Sequence, residues 1–413
     1  MSVGSLVEVR ARGRVRGRLA LMGPALVAAI AYVDPGNVAA NTQAGAETGY
    51  ALIWVVVLAS VIAMLVQYLS AKLGLATGRS LPEVCGEVLS RRMNIVMWVQ
   101  SEIVAVFTDI AEFVGAALGL HLLFGVPLPL AGLVIGVASL LLLNLRERGV
   151  RRFEAGVAIL LLLTAAGFAY TTIKLNRIAW PELGSGLTPS LSGDTALLLA
   201  AGLVGATVMP HAVYLHSALT EHRVTATSGA GRRYLLKFLR IDCLAGLGLA
   251  ALVNIAMLVL AAELYSTHQG ADSSIQTAHD LIGITLGAGA AVIFAGSLLT
   301  SGVASASVGT YAGQVVMAGF IGREIPVYAR RLITMVPSLA VLTLGLPLTT
   351  ALVASQAVLS FGVPFALIAL VLVTRRRDLM GSLVNRPLTT AAACLASTLV
   401  ILLNIGLLAT LFT

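Results

Sequence analysis

Runs of about twenty apolar residues, divided by short segments rich in charged residues, proline and glycine, recur along the whole chain. About 20 residues of α-helix cross a hydrocarbon core of about 30 Å. The pattern predicts eleven membrane-spanning helices, near 20–42, 50–71, 94–119, 128–144, 155–173, 195–218, 239–262, 284–311, 332–347, 352–373 and 388–410. Little chain is left over for a soluble domain.

Composition agrees with that pattern. Of 413 residues 58% are apolar and 11% charged, and the mean hydropathy is +0.94. Too few ionisable side chains are present to coat a water-soluble fold of this size. The first apolar run follows an Arg-rich arm and continues as helix past a Pro-Gly break, so it reads as a first span and not as a cleaved signal. Cys85, Cys243 and Cys394 lack metal-ligand or disulfide-framework spacing and read as small core or lipid-facing side chains.

A net charge of +8 would raise nucleic-acid binding if the charges were clustered on a soluble face. Their placement gives another answer. With residues 1–19 taken as a cytoplasmic basic arm, the inside segments hold 25 of the 27 Lys and Arg residues, and only Lys174 and Arg177 lie outside. This is the positive-inside pattern; it predicts a cytoplasmic N-terminus, an extracytoplasmic C-terminus and no nucleic-acid partner. The external segment 263–283 holds Glu263, His268, Asp272, His279 and Asp280 with no Lys or Arg, and reads as a solvated loop able to attract cations.

Two spans interrupt themselves. The first contains Ala31-Tyr32-Val33-Asp34-Pro35-Gly36-Asn37, and the sixth contains Ala206-Thr207-Val208-Met209-Pro210-His211. Proline has no amide hydrogen and clashes with the preceding turn, so each span is expected to be two short helices joined by an unwound piece. The breaks lie 175 residues apart and open two blocks of five spans, 20–175 and 195–374, with 388–410 as an additional helix. Five crossings is an odd number, so the second block runs in the opposite sense. That is the layout of an inverted repeat with paired discontinuous helices.

Unwound backbone at mid-membrane is tolerated where it faces protein, a cavity or an ion. Asp34 adds a carboxylate there, and an intramembrane charge is costly enough to mark a transport path. Asn37 offers an amide oxygen, and the carbonyls of Ala31 and Ala206 offer two more oxygens. Met209 brings a thioether, a residue that alone would read as core filling. A carboxylate, an amide, carbonyls and one sulfur favour Mn²⁺ and Fe²⁺ over Mg²⁺ and Ca²⁺, which prefer oxygen shells. Gln356, near the start of the tenth span, is a further in-membrane oxygen donor.

Proton chemistry is close by. His211 and His216 follow the second break, five residues apart and so on different helix faces, which argues against a two-histidine clamp. Glu102, Asp109 and Glu112 of the third span fall within roughly 80° of arc on one helix face. Three such carboxylates read as a polar stripe for protons, with Arg330 and Arg331 as candidate partners; the arginines alone would also fit membrane anchoring. Small residues such as Ser301-Gly302-Val303-Ala304-Ser305-Ala306-Ser307 fit close helix packing.

On Asp34-Pro35-Gly36-Asn37 together with Met209-Pro210-His211, the chain resembles the Nramp family of divalent-metal transporters, bacterial branch, from about residue 18 to its end. The resemblance implies a LeuT-like fold in the bacterial cytoplasmic membrane and import of Mn²⁺, Fe²⁺ and related ions with H⁺ by alternating access. It implies metal contacts from Asp34, Asn37, Met209 and the Ala31 and Ala206 carbonyls, joined by Gln356 in some conformations. It assigns His211, Glu112, Asp109, Glu102, Arg330 and Arg331 to a proton network. No resident cofactor, enzymatic activity or protein partner is expected, and a monomer would suffice.

Two other readings compete. An amino-acid or organic-solute symporter would share the broken helices, but Asp34 and Met209 fit a cation better. A passive cation channel would usually show symmetric rings of ligands in place of an inverted pair. No phosphate-cradling Gly-rich loop with lysine is present to drive an ATP-powered pump.

Overall fold

The computed structural model describes residues 4–11, 13, 21–147, 149–191, 193–221, 223–225 and 229–410; most of the basic arm lies outside them. In chain order the principal helices are α1 (Pro24–Ile30), α2 (Pro35–Thr48), α3 (Ile53–Thr77), α4 (Leu81–Val88), α5 (Arg91–Phe124), α6 (Leu128–Glu147), α7 (Val150–Leu175) and α8 (Gly193–Thr207). They continue as α9 (Pro210–Thr220), α10 (Gly229–Ser266), α11 (Ile275–Leu286), α12 (Ala288–Ile321), α13 (Val327–Thr343), α14 (Leu348–Thr374) and α15 (Pro387–Thr410). The strand pairing among the described residues is Gly4–Ser5 parallel to Val224–Thr225.

Proline opens α1, α2, α9 and α15, where its missing N–H costs no helical hydrogen bond and its fixed φ starts the turn. Among the described residues, nine stretches are long and apolar enough to cross a bilayer, with 193–220 counted as one. Two of the expected eleven fall outside that set. The first is divided between α1 and α2, and the ninth, α13, is 17 residues long with Arg330 and Arg331 near its start and Pro337 inside it. Val61, Leu141, Leu162, Leu252 and Leu402 are each more than half exposed on the outside of this bundle, as a lipid-facing surface requires.

Several helices outrun their apolar stretches. α10 starts at Gly229 and not near 239, α12 continues to Ile321, and the expected loop 263–283 contains the start of α11 at Ile275. Hydropathy reports which residues lie among lipid tails, whereas the helical hydrogen-bond ladder runs on through charged ends.

α5 and α12 pack along much of their lengths. A side chain at Gly302 would meet Ala116 and the Glu112 carbonyl, and one at Gly119 would meet the backbone of Leu299, so small residues set this close approach. α10 lies against α1, α2 and α3, while α8 and α15 both lie against α14.

One end of the bundle fastens the start of α1. Asp242 on α10 accepts from the Gly23 and Ala25 amides, both at 3.0 Å, and so satisfies two donors that a helix start leaves unpaired. Arg223 donates to the Met22 carbonyl at 3.0 Å and is paired with Glu154 of α7. At the opposite end Glu263 accepts from the Tyr50 hydroxyl at 2.5 Å and the Ala179 amide at 2.9 Å, so this member of the acidic segment is a structural tie.

Glu221, just past α9, is pushed up to about 7 by burial and by the neighbouring Glu83 carboxylate. A carboxyl that holds its proton more tightly in the folded chain lends stability below its ordinary pKa and loses it as pH rises through the folded value. E221Q is therefore expected to unfold at a higher temperature than wild type by a margin that widens from about pH 5 to about pH 8. Thermal unfolding in detergent checks this, and a constant margin would contradict it.

Candidate functional site

Asp34 is the N-cap of α2. Its Oδ2 accepts from the Gly36 amide at 3.1 Å and its Oδ1 from the Asn37 amide at 3.0 Å, the donors left open at a helix start. Upstream, Ala31–Val33 form a 3-10 turn. Pro35 has no N–H to offer the Ala31 carbonyl four residues back, so regular helix cannot run through the segment.

The second break repeats the arithmetic. Pro210 deprives the Ala206 carbonyl of its helical donor, α8 stops at Thr207, and Met209 has extended backbone before α9 begins. The Asn37 side chain joins the two breaks: Nδ2 donates to Asp34 Oδ1 at 2.6 Å and to the Ala206 carbonyl at 2.7 Å. The Ala206 oxygen, expected to be free for an ion, is thus engaged by Asn37 in this conformation.

Gln356 reaches the same place from α14. A side chain at Gly36 would collide with the Gln356 amide and meet Asp34 Oδ2 at 2.9 Å, so only glycine lets the two side chains share this space. Asp34, Asn37, Met209 and Gln356 are all wholly buried. Asn37 Oδ1 and Gln356 Oε1 have no hydrogen-bond partner there. Buried polar atoms are nearly always paired, so two unpaired acceptors near a carboxylate make a region rich in electron pairs and short of positive charge. Among the described residues no group of three or more His, Cys, Asp or Glu is arranged for a metal, and this donor set contains a single carboxylate.

The carboxylate stripe meets α13. Glu102 accepts from Arg330 at 2.8 and 3.2 Å and from Trp98 Nε1 at 3.0 Å. Asp109 accepts from Arg331 at 3.0 Å, and the Arg331 guanidinium lies over the Phe113 ring. Both arginines are buried, which sets them apart from membrane-surface anchors. Glu112 has neither oxygen hydrogen-bonded and faces Gly309 of α12, where a side chain would crowd it.

His211 and His216 face different helices. His211 Nδ1 lies 3.5 Å from the Thr108 hydroxyl on α5, whereas His216 Nδ1 lies 2.8 Å from Gln67 Oε1 on α3. Gln67 in turn donates to the Tyr32 hydroxyl at 2.5 Å, and Asn254 donates to the Tyr32 carbonyl at 3.0 Å. Sequence reasoning missed Gln67, Asn254 and the Asp242 and Arg223 fastening; for Gln67 and Asn254 a lone polar residue inside an apolar run was the available signal.

Residues 25–410 match the family described as natural resistance-associated macrophage protein-like, Nramp. The Bacillus subtilis protein named divalent metal cation transporter MntH is 43% identical over 411 residues, covering 100% of this chain and 96% of that protein. The like-named protein of Mycobacterium tuberculosis strain H37Rv is 49% identical over 390 residues, covering 94% and 91%. The solved structure of a manganese transporter from Eremococcus coleocola, in complex with an aromatic bis-isothiourea substituted compound, aligns with a TM-score of 0.84 at 30% identity over 95% of this chain and 87% of that one. MhsT in complex with L-phenylalanine aligns over 94% of this chain and 97% of that one with a TM-score of 0.65 at 14% identity, a likeness of fold alone.

Proposed function

Because the chain belongs to the Nramp family, and so is a membrane transporter of divalent metal and not an enzyme, we propose that it imports Mn²⁺ together with protons across the bacterial cytoplasmic membrane. Fe²⁺ and related transition ions are further substrates on this reading. The observation that carries it is the pair of unpaired amide oxygens, on Asn37 and Gln356, buried around the Asp34 carboxylate. A dication supplies what these acceptors lack, and the Met209 thioether and the Ala31 and Ala206 carbonyls complete a mixed shell that suits Mn²⁺ better than Ca²⁺ or Mg²⁺.

The ion passes by alternating access. Residues 20–175 and 195–374 act as two inverted repeats, each opened by one of the broken helices, with 388–410 added. The N-terminus is cytoplasmic, so the Asp242 and Arg223 contacts to the start of α1 form the inner closure, and the wholly buried site is an occluded state. Inward release requires those contacts to part. One chain holds every ligand, and so a monomer is sufficient.

Protons take the α5 stripe. The Asp109–Arg331 pair is neutral as a unit, which leaves Glu112 as the odd carboxyl; a proton on it makes the buried cluster neutral. From there the proton passes by way of the Asp109 and Glu102 carboxylates toward the cytoplasm, with Arg331 and Arg330 as their permanently charged partners, while His211 and His216 shape and relay at the metal side. Proteoliposome uptake tests the whole reading: an inward proton gradient should raise Mn²⁺ uptake, with Mg²⁺ and Ca²⁺ poorly carried. Uptake indifferent both to the gradient and to the ion would defeat it. E112Q is expected to lose most of the proton flux, read by an internal pH dye; unchanged flux with intact metal uptake would rule out this route.

A further inference from the structure

We propose that Asn404, on the added helix α15, is a positioning residue for Gln356. The inference rests on the reading of Gln356 as a metal ligand and extends it to a helix that the paired repeats do not include.

Pro364 lies inside α14, and the residue four positions before it is Ser360. Proline has no N–H, so the Ser360 carbonyl loses its helical donor, as the Ala31 carbonyl does to Pro35 and the Ala206 carbonyl to Pro210. Ser360 is wholly buried, and a carbonyl left unpaired inside a membrane protein is strongly destabilising. Asn404 supplies the missing donor: its Nδ2 donates to the Ser360 carbonyl at 2.8 Å, and its Oδ1 accepts from the Ser360 hydroxyl at 2.6 Å. Both polar atoms of one buried amide are thus spent on one residue of α14.

Ser360 stands one turn beyond Gln356, on the same helix face. Gly205 of α8 is also pressed against this turn; a side chain there would collide with the Gln356 carbonyl and meet the Ser360 amide at 2.8 Å. The turn from Gln356 to Ser360 is therefore held by both Gly205 and Asn404. A proline inside a helix acts as a joint whose angle depends on how the freed carbonyl is satisfied. By satisfying it, Asn404 fixes the half of α14 that holds the Gln356 amide against Gly36 and Asp34.

The test is the kinetics of Mn²⁺ uptake in proteoliposomes for wild type, Q356A, N404L, Q356A/N404L and P364A/N404L. N404L is expected to raise KM about tenfold with a smaller change in kcat, in the same direction as Q356A, and the Q356A/N404L double variant to be no worse than Q356A. P364A/N404L is expected to regain most of the loss, because residue 364 then donates its own N–H to Ser360; a helix damaged merely by losing α15 packing would not recover. If N404L cannot be recovered from the membrane, N404S carries the same expectation, its hydroxyl being too short to reach both Ser360 atoms. A wild-type KM in N404L or N404S alongside a raised KM in Q356A overturns the positioning role alone, as does a double variant with Pro364 replaced that stays as impaired as N404L. A wild-type KM in Q356A overturns the ligand role of Gln356, and the inference with it.

Discussion

Replacing Asp34 by Asn is expected to reduce Mn²⁺ uptake at least about a hundredfold, which corresponds to ~2.7 kcal/mol of lost stabilisation along the transport path. The substitution is informative because asparagine caps helix starts as well as aspartate does. One side-chain oxygen remains to accept from the Gly36 or Asn37 amide, so α2 should start at the same residue. What goes is the negative charge, and an amide NH₂ now points where the carboxylate received the Asn37 side chain. Tracer uptake into proteoliposomes, with thermal unfolding as the control on folding, separates the two effects. Uptake near wild type would remove Asp34 from the ion's path.

The second large effect concerns discrimination. Met209 makes no side-chain cap to α9, whose start is set by Pro210, so M209A leaves the break in place and removes only the thioether. Sulfur contributes to binding Mn²⁺ or Fe²⁺ and almost nothing to binding Ca²⁺ or Mg²⁺. The ratio of Mn²⁺ to Ca²⁺ uptake should therefore fall by about tenfold, ~1.4 kcal/mol, through slower Mn²⁺ entry with Ca²⁺ entry little changed. Competition of the two ions in the same vesicles measures it. A ratio that stays put would mean that the selection is made by geometry or by the oxygens.

Much of this was legible in one sequence because the controlling features are local. A proline removes the helical partner of a carbonyl four residues earlier, wherever the chain goes next, so the breaks at Asp34 and Met209 could be read directly. The carboxylates of α5 were legible for a similar reason, since their spacing fixes a shared helix face. Which arginine meets which carboxylate was not, because the pairs Glu102–Arg330 and Asp109–Arg331 join residues more than two hundred positions apart through the packing of α5 on α13. The same limit hid Asn37 as the bridge to the Ala206 carbonyl, and the fastening of Gly23 and Ala25 by Asp242. Pro364 was visible all along, but its consequence depends on Asn404, which comes from a separate helix. The early start of α10 escaped because its first turns carry Arg232, Arg233 and Lys237, and charge there says where the membrane ends without saying where the helix does.

The complete burial of Asp34, Asn37, Met209 and Gln356 also bears on speed. If these residues hold the ion, it has no open route to either water phase and waits on the chain itself. At saturating metal, turnover should then be paced by the parting of helices through viscous lipid, so bilayer thickness and fluidity should govern it more strongly than any further rise in ion concentration.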